Sequence, residues 1–369
     1  MKILVCFGTR PEAIKMAPVI HELKKKNLEF LVCNTAQHKE MLDHVLDFFE
    51  IETDYNLQVM MPNQELNSLS AAILREFDKV LAQEKPSMVF VHGDTTTSVM
   101  AAWAAFHREI KVGHIEAGLR TYNPKSPFPE EMNRQITAKL ANIHFAPTIK
   151  AQQNLELEGI AKDSIHLTGN TIVDALNFGT AKLEDIESRQ LGSKLNFNYN
   201  PAKKLILVTG HRRESFGKGF ENICKALLKI AERKELEIVY PVHLNPNVQK
   251  PVYSALKNHD RIHLINPVDY PGMLWLLKTC DFVISDSGGI QEEAPSFGKK
   301  VLVTREFSER MEGVDAGFSL LVGTDTDKIV SQAFQLLDNP EDFNSSKNPY
   351  GDGKAAERIV EVLEKSSQA

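Results

Sequence analysis

The sequence predicts an α/β protein built from two doubly wound parallel sheets. Strand-like runs rich in Ile, Leu and Val alternate with helical periodicity almost from end to end. Those runs are apolar on both faces, as strands covered by helices on both sides must be. At 369 residues the chain exceeds one typical core, and its periodicity breaks near residues 188–203, in SRQLGSKLNFNYNPAKK.

In the first half, strands are expected at KILVCFG (2–8), EFLVCNT (29–35), SMVFVHGD (87–94), KVGHIEAG (111–118), IHFAP (143–147) and IHLTG (165–169). In the second half they fall at KLILVTG (204–210), LEIVYPVH (236–243), RIHLINP (261–267), DFVISDS (281–287), KKVLVT (299–304) and FSLLVG (318–323). That makes six strands per sheet. Near the end, NPYGDG (348–353) stops one helix before AAERIVEVLEKS starts another, which can cross back onto the first domain. The expected domains are therefore 1–170 with the helix 354–369, and 171–353.

Composition narrows the function. A net charge of -6 gives no broad basic surface for nucleic acid or an anionic membrane, so a phosphate ligand must be met by a local cluster of cations. Cys6, Cys33, Cys224 and Cys280 sit singly in apolar patterns with no C-x-x-C, which reads as buried reduced thiols. The opening MKILVCFG reads as a strand rather than a signal peptide, and no apolar run reaches 18 residues. A cytoplasmic location is expected.

In open parallel sheets, ligands bind outside the carboxyl ends of the strands. The first strand runs into GTRPEAIK, where Arg10 and Lys15 flank a helix start at Pro11, either an anion site or a plain turn with solvated charges. One glycine replaces the three of a dinucleotide fingerprint, and no acidic residue ends the second strand. A nicotinamide or flavin cofactor is not expected.

The third strand ends in HGDTTTS, where Asp94 taken alone reads as part of an N-cap. The fourth gives HIEAG, placing Glu116 where burial costs several kcal/mol unless the carboxylate is paired. In SPFPEEMNR, Glu130 and Glu131 open a helix, where glutamates suit the dipole without further reason. Asp94, Glu116 and Glu130 together offer proton transfer at a carbon; a metal cluster ranks lower, since no metal-ligand spacing is present.

In the second half, TGHRRESFG carries His211, Arg212 and Arg213 beside Glu214, and PVHLNPNV carries His243. In SDSGGIQEEAP, Ser287, Gly288 and Gly289 would admit a diphosphate to backbone N–H groups, with Glu293 on ribose hydroxyls and Arg310 adding a cation. A tight turn with dipole-friendly glutamates is the plainer alternative. A sugar nucleotide fits the set.

FGTRPEAIKMAP, TAQHKEMLD, VHGDTTT, GHIEAGLRT, PEEMNR, GHRRESFG, VYPVHLNPNV, SDSGGIQEEAPSFGKKVLV and NPYGDG, in order along essentially the whole chain, resemble the bacterial non-hydrolysing UDP-N-acetylglucosamine 2-epimerases. The resemblance implies the GT-B architecture: two Rossmann-like domains, a central cleft and a C-terminal helix returning to the first. It also implies a homodimer that works without metal or nicotinamide.

The resemblance puts Arg10, Lys15 and Arg310 on the nucleotide side, Ser287, Gly288 and Gly289 in the diphosphate loop, and Glu293 on the ribose. It makes Asp94, Glu116, Glu130 and His211 the catalytic positions. Bacterial members bind a second UDP-N-acetylglucosamine as an activator, and Gln37, Arg212 and His243 stand at the matching positions. Met273 stands where members often carry an aromatic near the uracil, and Glu40 and Asn63 where some have Gln and Arg.

The implied reaction eliminates UDP across C1 and C2 to 2-acetamidoglucal and adds it back with protonation from the other face, feeding cell-surface polysaccharide synthesis. A hydrolysing epimerase, a GT-B glycosyltransferase and a non-catalytic nucleotide-sugar sensor are the competing readings.

Overall fold

The computed structural model describes residues 1–36, 39–61, 64–184, 195, 197–339 and 347–366. The chain divides into two compact units, Met1–Phe178 with Tyr350–Ala369, and Gly179–Pro349.

The first unit holds a parallel sheet of strands β1 Ile3–Phe7, β2 Phe30–Asn34, β3 Tyr55–Asn56, β4 Met88–His92, β5 Lys111–Ile115, β6 Ile143–Ala146 and β7 Ile165–Leu167. Their spatial order is β3-β2-β1-β4-β5-β6-β7. Every residue of β1 and β4 is buried, and Val5 lies between Val32 and Phe90 in register. Leu4, Val89 and Val91 pack with Phe77, Leu81, Ala101 and Ala105 of the covering helices. Each large apolar side chain buried this way contributes roughly 1.5–3 kcal/mol.

The sheet has seven strands where the sequence predicted six. The addition is β3, two residues long, and its anchor is polar rather than apolar. Val32 donates its N–H to the Asp54 carboxylate at 2.7 Å, while the Asp54 N–H reaches the Val32 carbonyl at 2.9 Å. No hydrophobic period can announce so short an edge strand.

The second unit holds six parallel strands: β8 Lys204–Thr209, β9 Leu236–Pro241, β10 Ile262–Ile265, β11 Phe282–Ser285, β12 Val301–Val303 and β13 Ser319–Leu321. Their order is β10-β9-β8-β11-β12-β13. Ile206, Val208, Ile238 and Tyr240 form its core with Phe220, Leu227, Val252 and Ile329. In both sheets the strand order reverses beside the unit's first strand, at β1/β4 and at β8/β11. The loops leaving such a pair diverge and open a crevice at the strands' carboxyl ends.

Helix Ala355–Ser366 belongs to the first unit and buries Ile359, Val360 and Leu363. Its first turn is held by Asp174, whose carboxylate accepts from Ala355 N at 3.2 Å and Ala356 N at 2.9 Å. Arg358 donates to the Thr168 carbonyl at 2.9 Å. Burial pushes the Asp174 carboxyl up to about 6.

All four cysteines are free and buried. No helix among the described residues is long and apolar enough to cross a membrane.

Candidate active site

At the β1/β4 reversal, helix Arg10–Lys25 starts with Arg10 half-buried, Pro11 in its first turn and Thr9 before it. Glu12 organises this corner. One carboxylate oxygen accepts from Gly8 N at 3.1 Å, Thr9 N at 2.9 Å and the Thr9 hydroxyl at 2.8 Å. The other faces Thr95 Oγ1 at 2.7 Å and Ser98 Oγ at 3.0 Å. The Thr9 N–H bond is half of a capping box, but this glutamate is 2% exposed and ties the β1 loop to the β4 loop. Burial raises its carboxyl despite those donors.

Asp94 is not the N-cap. That place belongs to Thr95, whose hydroxyl accepts from Ser98 N at 3.0 Å. The Asp94 carboxylate instead meets Arg134 through Nη2 at 2.6 Å and Nε at 2.9 Å. Asn133 donates to the Asp94 carbonyl at 2.8 Å. Both partners lie on helix Glu130–Leu140, which Glu130 opens half-buried, one turn before Arg134.

Its neighbour Glu131 is fully buried and structural. It accepts from Thr121 N at 2.9 Å, Tyr122 N at 3.1 Å and Arg134 at 3.2 Å. Burial pushes that carboxyl up, and the donors outweigh it and bring it below the ordinary range.

Glu116 follows β5 at φ +60°, a left-handed conformation that costs a non-glycine residue of order 1–3 kcal/mol. Its carboxylate forms an ion pair with Lys15 and accepts from Asn170 Nδ2 at 3.0 Å, with His92 Nε2 3.9 Å away. Lys15 and Glu116 are 6% and 9% exposed. Lys15, assigned by resemblance to the nucleotide side, thus stands against a catalytic candidate, and the pairing explains how a buried carboxylate is tolerated. Asp94 follows β4, Glu116 follows β5, and Glu130 opens the helix whose Asn133 and Arg134 hold Asp94.

At the β8/β11 reversal, the fully buried Asp286 faces the β8 loop. It accepts from His211 N and Arg212 N, both at 2.9 Å, and lies 3.4 Å from His211 Nδ1. The His211 ring stacks on His243 with centroids 5.7 Å apart. Burial lowers the His211 pKa, Asp286 opposes this, and Arg212, His243 and Arg305 add to the lowering.

Arg310 pairs with Glu309 and, at 3.0 Å, with Glu292; Arg305 pairs with Glu214 at 2.7 Å and Glu309 at 3.0 Å. Burial alone would raise the Glu309 carboxyl, but Arg310 and Arg305 hold it down at about 2.

Ser287 caps helix Gly288–Glu293. A Cβ on Gly288 would sit 2.7 Å from Arg310 Cζ, so this glycine makes room for a guanidinium on its own backbone. A Cβ on Gly289 would meet nothing closer than 3.8 Å, which leaves that backbone open to a ligand. Glu293 is half-buried, as is Met273 on helix Tyr270–Thr279. Gln37 and Asn63 fall outside the described residues, as does the Glu40 side chain.

The sequence did not single out Glu12, Arg134, Asn170 or Asp286 as site residues, and it marked Glu309 only as half of the ER pair in SERMEG, a motif of the family resemblance. Of the first four, only Glu12 carried a local signal, as the T-x-x-E spacing of a capping box.

The family described as UDP-N-acetylglucosamine 2-epimerase matches residues 21–364 of the chain. A UDP-N-acetylglucosamine 2-epimerase of Campylobacter jejuni is 50% identical, over 98% of this chain and 97% of its own length. The crystal structure of the Neisseria meningitidis UDP-GlcNAc 2-epimerase bound to UDP-GlcNAc is 48% identical, with a TM-score of 0.93, covering 99% of this chain and 100% of its own. That of the Methanocaldococcus jannaschii UDP-GlcNAc 2-epimerase in complex with UDP-GlcNAc and UDP is 33% identical, with a TM-score of 0.85, covering 99% of this chain and 100% of its own. The two parallel α/β units are those of the GT-B fold class. Built on that frame and matched along nearly its whole length, the chain belongs to the UDP-N-acetylglucosamine 2-epimerase family.

Proposed function

We propose that the protein interconverts UDP-N-acetylglucosamine and UDP-N-acetylmannosamine without net hydrolysis. The observation that carries this is the placement of Asp94 and Glu116 after the neighbouring strands β4 and β5 and of Glu130 on the helix that holds Asp94, with Glu116 buried against Lys15 and Asn170. The sugar's C2 proton has no adjacent carbonyl to acidify it, so elimination is the route. A carboxylate takes the C2 proton, the C1–O bond breaks with its electron pair going to UDP, and a C1=C2 double bond forms. In the return step UDP oxygen attacks C1, while C2 takes a proton from the other face. Two faces require two carboxyl groups, and the cluster contains them.

In this reading residues 1–170 with 354–369 carry the carboxylates, and 171–353 carry the nucleotide. Ser287, Gly288 and Gly289 hold the diphosphate, Glu293 the ribose, Arg10, Lys15 and Arg310 stand on the nucleotide side, and Met273 packs near the uracil. His211 acts at the departing phosphate, where charge develops. Arg212 and His243 serve an activator molecule of UDP-N-acetylglucosamine, with Gln37. The protein works as a homodimer in the cytoplasm.

Proton NMR with UDP-N-acetylglucosamine in D2O tests the proposal. UDP-N-acetylmannosamine growing to a constant ratio, with deuterium at C2 and no free sugar, is expected. Free N-acetylmannosamine with UDP would make the enzyme hydrolysing. Intact C2 protons on bound substrate would remove the epimerase reading.

A further inference from the structure

The buried carboxylate beside His211 has no role in the steps above. Asp286 sits where β11 ends, next to the end of β8, with Ser285 in register with Thr209. It accepts the N–H groups of His211 and Arg212 and stands 3.4 Å from His211 Nδ1, while its own chain continues directly into Ser287 and Gly288. One side chain therefore fixes the backbone of the histidine loop, faces the histidine ring and anchors the loop assigned to the diphosphate.

We propose that Asp286 is the positioning residue of His211, holding the ring with Nδ1–H toward its carboxylate so that Nε2 is presented to the departing phosphate. This deepens the functional reading above and rests on it where catalysis is concerned. The geometry selects the tautomer. A carboxylate facing Nδ1 is satisfied when that nitrogen carries the proton, and Nε2 then lies on the far side of the ring. The 3.4 Å separation is longer than a hydrogen bond and leaves room for the contact to tighten as charge develops on the ring.

The charged and titratable neighbours of the ring give Asp286 a second task. His243 is stacked on it, and Arg212 and Arg305 bring fixed positive charge. All three oppose protonation of His211, as does burial, and Asp286 is the counterweight. Phosphate departure is favoured by a ring able to carry a proton.

A bare loop anchor would satisfy the two N–H groups and leave the imidazole's titration alone. The test separates the two roles. Nitrogen-15 NMR of the full-length wild-type protein, with the His211 signal assigned by its loss in His211→Gln, should show neutral His211 protonated on Nδ1. In Asp286→Asn its titration midpoint should fall by about one pH unit, and the alkaline limb of kcat should move to lower pH with it. Asp286→Asn should cost tenfold or more in kcat, roughly the weight of a residue that orients another, yet add under about threefold in a His211→Gln background.

A wild-type His211 protonated on Nε2 instead would overturn the proposal without needing Asp286→Asn to fold. So would an unchanged midpoint in Asp286→Asn, or equal losses in both backgrounds. If the wild-type protein epimerises nothing, the functional reading falls, while the NMR result still decides whether Asp286 sets the state of His211.

Discussion

The two strand-order reversals solve one problem with different hardware. At β1/β4 the diverging loops are tied by Glu12, and at β8/β11 by Asp286, each a buried carboxylate taking backbone N–H groups. Glu12 is surrounded by hydroxyls and amides, with the ionic groups of the first unit paired elsewhere, Lys15 with Glu116 and Arg134 with Asp94. Asp286 lies directly against the His211 ring. The first unit separates the group that holds the loops from the carboxylates proposed for the chemistry, whereas the second sets its loop anchor against the proposed catalytic histidine. Damage to the anchor should therefore read out as stability in the first unit and as catalysis in the second.

The largest expected effect follows from removing the first anchor. Glu12→Ala leaves five donors without their acceptor and should cost about 3 kcal/mol in chemical denaturation. Glu12→Gln keeps an acceptor for the three donors of the β1 loop, while its amide can donate to the two hydroxyls. It should cost under about 1 kcal/mol. An equal loss in both variants would break the comparison by making the charge itself essential.

Next in size, Glu116→Gln should lower turnover about 100-fold or more, as for a general acid-base group, and His211→Ala the same. Near-normal turnover of UDP-N-acetylglucosamine in either variant removes that residue from the mechanism.

Gly288→Ala should weaken UDP binding roughly tenfold in calorimetry, because the new methyl displaces Arg310 from its place over the backbone. Gly289→Ala meets no obstacle within the protein, so its Tm should move by no more than about 1 °C. A matching loss of stability in both would mean that Arg310 is not what Gly288 makes room for.

A further effect concerns pH. The Asp174 carboxyl is raised from 3.8 to about 6, so the folded state binds its proton more tightly than the unfolded chain. Its stabilising contribution is fully present below 3.8 and is lost as pH rises through about 6. Hydrogen exchange at the first turn of helix Ala355–Ser366 should speed up across that window beyond the intrinsic base-catalysed rise, and Asp174→Asn should abolish the excess.

The strands and the loops that bear the site were legible in the sequence because β/α alternation and strand-end polar residues are local signals. Glu116 stood out because a carboxylate at the end of an apolar strand has a cost that asks for a reason, whereas Asp94 and Glu130 each had a plain local reading and stood out only as members of a set. Their partners were not legible. Arg134 reaches back 40 residues to Asp94, Lys15 meets Glu116 across 101, and Asp286 meets His211 across 75. Such pairings are created by sheet order, which periodicity does not state. At Gly288, too, the group that approaches the backbone within this chain is Arg310, a pairing that no local pattern announces.

The helix docked on Asp174 also sets a timetable. The second unit is one continuous segment, Gly179–Pro349, whereas the first is assembled from both ends of the chain. During synthesis the second unit can close on itself while the first still waits for Ile359, Val360 and Leu363, which leave the ribosome only after the whole of the second unit. The carboxylate cluster is encoded early and completed late, so a product truncated before that helix would carry Asp94, Glu116 and Glu130 on a unit lacking its final wall.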